Sequence, residues 1–154
     1  MSRDKWKKVL EDCFEKIRLI EKCQQETKEN FDQFREFIAE PAFETLGEAL
    51  KDYGLRTWYR KEKNNLIRFD ISFLKSKVVQ FSYGLYLPPN SIQMKLKLIL
   101  RGRRTKDSPM KEWTEPFFES INPENLLSLS KEDLIEDILS RYRDFMIETL
   151  TLSE

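Results

Sequence analysis

No histidine occurs anywhere in this 154-residue chain. That removes the commonest general base and the commonest metal ligand together. Cysteine is nearly absent too. Cys13 and Cys23 are the only two, ten residues apart on one predicted helix. Ten helical residues rise about 15 Å, too far for a bridge within that helix. The pair reads as small apolar side chains, reduced thiols in a cytoplasmic protein. Glycine is scarce at four residues, and none forms a phosphate-cradling loop. No serine stands in the strand–turn–helix setting of a nucleophile. No apolar run approaches the ~18–20 residues that span a bilayer. The charged start, Met1 to Trp6, lacks the apolar core of a signal peptide. Catalysis, a bound metal or cofactor, and a membrane span are therefore not expected.

What the chain has is charge, sorted along its length. The total is neutral, with 27 Lys and Arg against 27 Asp and Glu. Residues 1–54 are net −3, residues 55–111 net +11 and residues 112–154 net −8. A cationic middle between acidic flanks speaks to partners and packing rather than to fold. Eleven Phe, five Tyr and three Trp are enough to build a core for one domain of this size.

Residues 3–39 read as one long helix. Trp6, Leu10, Cys13, Ile17, Ile20, Gln24, Thr27, Phe31, Phe34 and Ile38 recur at alternating spacings of four and three, a heptad stripe. Gln24 and Thr27 are its polar middle. Such a helix rises about 54 Å and should overhang its own domain, roughly 40 Å across. The overhanging stripe calls for a second copy, the C-terminal helix or a partner protein to cover it. The alternative is an elbow at Cys23–Glu29 that folds the helix on itself. Pairing with another helix is preferred, and the association residues are Trp6, Leu10, Cys13, Ile17, Ile20, Phe31 and Phe34. Pro41 is expected to interrupt the helix before 42–53 resumes it, with Gly54 as a left-handed C-cap.

Residues 55–102 read as a four-stranded meander with order 1-2-3-4. Period-two alternation places Ile67, Phe69, Ile71, Phe81, Tyr83, Leu85, Leu96, Leu98 and Leu100 on one apolar wall. Asn64-Asn65 is the expected site of positive φ in the first turn. Residues 103–129, with three prolines and no period, read as an irregular connection. Ser130 with Glu132 and Asp133 opens a last helix over 130–150. The fold class is α+β, an antiparallel sheet covered on one face by helices.

The other face of the meander is the candidate site. Alternation assigns to it Arg56, Trp58, Arg60, Arg68, Tyr86, Lys95, Lys97 and Arg101, with Arg103 and Arg104 just beyond. Gln80 and Asp70 share it. Arg68, Gln80 and Lys97 are expected to be exposed or at a contact. A basic sheet face presents cations to an acidic partner. With Trp58 and Tyr86 interleaved it also resembles a single-stranded DNA or RNA platform, where phosphates meet cations and bases stack on rings. Plain solvation, or cover by the chain's own acidic last third, competes with both. The leading expectation is a non-enzymatic interaction or regulatory module. It presents this face to an acidic protein surface and self-associates, as a homodimer, through the N-terminal helix. Nucleic-acid binding is the alternative.

Overall fold

The backbone stays helical from Lys5 to Lys51 in the computed structural model, which describes residues 4–152. The expected start at Arg3 lies outside the described residues. Helix α1 spans Lys5–Phe34 and α2 spans Glu40–Lys51, joined by a π-turn over Arg35–Ala39. There is no elbow at Cys23–Glu29; those residues are regular α-helix. Nor does Pro41 break the rod, and the π-turn is the reason. A proline ring collides with the carbonyl four residues earlier and has no N–H to donate. In the wider turn the Glu40 N–H donates to the Arg35 carbonyl, one residue further back than in an α-helix. Arg35 and Glu40 also close the turn with an ion pair.

The extra residue has a second effect. Continuing the heptad past Ile38 would bury Pro41, Thr45 and Glu48. The buried set is Ala42, Phe43, Leu46 and Leu50, shifted along by one or two residues. The π-turn absorbs that slip and keeps the buried side of α2 in line with Phe31 and Phe34, within a rod about 70 Å long. Gly54 ends it as expected, at φ 77°, with the Leu55 N–H returning to the Leu50 carbonyl at 3.2 Å.

The sheet has five antiparallel strands, not four, in the order β1-β2-β3-β4-β5. They are Thr57–Glu62, Leu66–Ser72, Val79–Tyr86, Lys97–Gly102 and Lys111–Pro116. The fifth lies within the stretch read as irregular. Its Lys-Glu-Trp-Thr-Glu-Pro sequence buries little, as suits an edge strand defended by charge. The fourth strand starts at Lys97 rather than Ile92, although Met94 and Leu96 before it are buried. In the first turn Lys63, not an asparagine, takes positive φ, at 57°. A 3-10 turn, Pro123–Ser128, leads into α3, Lys131–Thr151. Ser130 caps α3 and shares a reciprocal capping box with Asp133.

Helices α2 and α3 lie on the apolar wall. Phe43 of α2 stacks on Phe69 at 5.0 Å. Phe81 meets Tyr142 and Phe145 of α3 at 5.5 and 5.4 Å. Gly102 is required there, because a Cβ would stand 2.4 Å from the Phe145 ring. Two phenols tie helices to strands. Tyr59 donates to Glu44 of α2 at 2.6 Å, and Tyr83 to Asp137 of α3 at 2.5 Å.

Those phenols set a limit at high pH. The bond to Glu44, with burial behind it, pushes Tyr59 up to about 12. Burial first, then the Asp137 charge, pushes Tyr83 well above its ordinary value. In the unfolded chain both titrate near about 10. Between about pH 10 and 12 the unfolded chain loses protons that the fold retains, so stability falls as pH rises. Thermal melts at pH 9 and pH 11 should show this loss. It should be smaller in Tyr83→Phe, and an equal loss in that variant would remove Tyr83 from the explanation.

Candidate interaction surfaces: the open sheet face and the helical arm

Strand register brings most of the expected face together. Across the sheet, one row reads Trp58, Asp70, Ser82, Arg101, Glu112. The next reads Arg60, Arg68, Gly84, Ile99, Thr114, and the third Glu62, Leu66, Tyr86, Lys97, Pro116. The rows interleave carboxylates among the cations. Arg60 bonds Asp70 at 2.5 Å and Glu62 at 2.8 Å. Arg68 bonds Glu62 at 3.1 Å, and Arg101 bonds Glu112 at 2.7 Å. Ser82 donates to Asp70 from the neighbouring strand. The Arg103 guanidinium is turned to the Val79 carbonyl at 2.8 Å.

Arg68 and Gln80 are not exposed; Arg68 is only 1% accessible and Gln80 5%. The long side chains of the flanking strands lie over the centre of the sheet. Gly84 makes room for the Arg68 guanidinium, whose Nη1 is 3.4 Å from where a Cβ would be. That nitrogen is buried without a hydrogen-bond partner among the described residues. Burial works against the Glu62 carboxylate, yet the bonds from Arg68 and Arg60 outweigh it and hold its pKa below the ordinary value.

Arg56, Lys95, Lys97 and Arg104 are exposed. Trp58 is 39% exposed and Tyr86 half-buried. Two strands and two rows separate these rings, on the order of 15 Å, so they do not flank one base. The face is therefore a largely compensated ladder with a cationic margin. Glu112, on the strand not foreseen, supplies part of that compensation.

The second surface is the free part of α1. Every residue from Lys5 to Lys22 is exposed. The heptad stripe divides at the body. Trp6, Leu10, Cys13, Ile17 and Ile20 are open to solvent, whereas Thr27, Phe31 and Phe34 are buried. Phe31 and Phe34 are thus core residues rather than association residues; Phe34 packs edge-on against Phe117 at 5.9 Å. Val9 and Phe14 extend the exposed stripe on its two flanks, 63% and 53% accessible. A heptad list restricted to the central seam omits them, though both lie within one apolar arc about 140° wide at 100° per residue. The arm leaves the body beside the loop at Asn90, whose carbonyl accepts from Gln24 at 3.2 Å. Cys23 and Ile92 line a groove of about 360 Å³ at that root.

Comparisons with protein-family models, with curated proteins and with solved structures find no match. Among the described residues, no group of three or more Cys, Asp or Glu is placed to share a metal ion. No described helix is long and apolar enough to cross a membrane.

Proposed function

We propose that the protein is a non-enzymatic interaction module whose main contact surface is the projecting arm of α1. The observation that carries this reading is the arm's apolar stripe, open from Trp6 to Ile20 on a helix anchored in the core by Phe31 and Phe34. A contiguous apolar strip of several hundred Å² on a soluble fold marks a contact site. Rigid anchoring means that a partner helix meets a preformed surface and little ordering cost. The sheet face is the secondary surface. Its margin of Arg56, Lys95, Lys97 and Arg104 suits an acidic protein partner. Single-stranded nucleic acid is the less favoured ligand, because the central cations are already paired and the two rings stand apart.

Two variants separate the surfaces. Ile17→Asp with Ile20→Asp places charge in the arm without touching the body. Charge reversal at Lys95, Lys97 and Arg101 alters only the sheet face. Affinity capture of binding proteins, with circular dichroism to verify folding, should show loss with the arm variant and a smaller, salt-sensitive loss with the face variant. Full retention of binding by the arm variant would overturn this reading.

A further inference from the structure

We infer that the occupant of the arm is a second copy of this chain, lying antiparallel along the stripe. This rests on the arm being the contact surface and adds the identity and direction of its partner.

Direction follows from where the body stands. The exposed stripe at Ile17 and Ile20 runs straight into Thr27, Phe31 and Phe34, which the chain's own body covers. The body is therefore on the stripe side of the helix. A parallel copy laid along the stripe would have to continue through that body, and each copy would block the other. Charge alone would permit such a pair, with Lys16 against Glu21 of the second copy. Space does not.

An antiparallel copy avoids the collision. Helix α1 begins at Lys5, and Asp4 before it has left helical conformation at φ −98°, ψ 8°. The first turn of one arm then reaches the root of the other. Pairing Leu10 with Ile20 of the second copy, and Cys13 with its Ile17, aligns the two stripes along their whole exposed length. In this register Phe14 meets Phe14 of the second copy, and Val9 meets its Cys23. Trp6 reaches the second copy's Gln24, next to the groove that Ile92 lines.

The flanking charges agree with this register on balance. Lys7 faces Glu21 of the second copy twice by symmetry. Within its own chain Lys7 meets the exposed Asp4 at 3.4 Å and stands over the Trp6 ring at 5.7 Å. One like-charge meeting, Lys16 with Lys16 of the second copy, falls at exposed positions where long side chains swing apart. The paired arms would bury on the order of 1,000 Å², the smallest area expected of a specific interface. Association should accordingly be seen at micromolar concentrations and above.

Thiol cross-linking reads out both partner and direction. Residues facing across the seam come within disulfide reach, and residues a turn apart do not. Three chains are compared, all carrying Cys23→Ser. The first has only Cys13. The second adds Ile17→Cys. The third has Ile17→Cys with Cys13→Ser. Each is oxidised with glutathione disulfide at high micromolar concentration, and the native chain is weighed by sedimentation equilibrium. The expected result is a mass twice the 18.6 kDa of one chain, with covalent dimer formed chiefly by the second variant through Cys13 to position 17. Cross-linking in the first or third variant would mean a parallel pair and overturn the proposal. A monomeric mass with no cross-link would overturn it as well. In that case the wider reading of the arm is judged separately, by capture with Ile17→Asp and Ile20→Asp.

Discussion

Phe81→Ala is expected to cost about 3–5 kcal/mol, a large share of the 5–15 kcal/mol that holds a typical domain together. Phe81 sits at the centre of the sheet's apolar wall with no accessible surface. Its ring is held by Tyr142 and Phe145 of α3. Truncation leaves a void between a strand paired on both sides and a helix that is anchored elsewhere, so the site can collapse little. Trp58→Ala removes a larger ring from the opposite face, on edge strand β1, where it is partly solvated. That change should cost under about 1 kcal/mol. Urea melts of the two variants test the pleat directly. The reverse ranking would mean that the faces of the sheet have been assigned the wrong way round.

The central strands were legible because their period is clean. Ile67, Phe69 and Ile71, then Phe81, Tyr83 and Leu85, alternate with polar residues, and all six are buried. The edge strand β5 was not legible, because Trp113 is its only large apolar side chain and period two needs a face to bury. The long helix was legible from its heptads, but its passage through Pro41 was not. A proline in a helical pattern ordinarily marks an end, and a π-turn leaves no residue signature of its own.

The charge on the open face was misjudged for a different reason. Alternation correctly placed Arg60, Arg68 and Arg101 on one face. It cannot show that Glu62 and Glu112 arrive there from the end of one strand and from an unforeseen neighbour. Counting cations along the chain overstated a face whose compensation is set by register. Likewise, the stripe of α1 has one period throughout. Only the position of the body decides that Ile20 stays exposed and Phe31 becomes a core residue.

Glu62→Gln is expected to be nearly as damaging as a core truncation, although Glu62 is partly exposed. Among the described residues its carboxylate is the one bonded to Arg68, and Arg68 is sealed beneath its neighbours. Removing that charge leaves a guanidinium buried and uncompensated, with Nη1 already lacking a partner. Breaking one side of a buried pair costs about 3–5 kcal/mol. Partial exposure of Glu62 and its second bond, to Arg60, argue for the lower end of that range. Arg68→Met should behave quite differently. It keeps the bulk over Gly84 and removes the buried charge, and such exchanges are often neutral or stabilising. The double variant should therefore recover most of what Glu62→Gln loses. Acid provides an independent reading. Because the folded pKa of Glu62 is lowered, its contribution is present above the ordinary carboxylate value of about 4.3 and fades as pH falls through the folded value. Urea melts at pH 7 and pH 3 should show a smaller acid loss in Glu62→Gln than in the native chain. If the double variant were no more stable than Glu62→Gln alone, the cost would lie in Glu62's bond to Arg60 and not in the buried charge of Arg68.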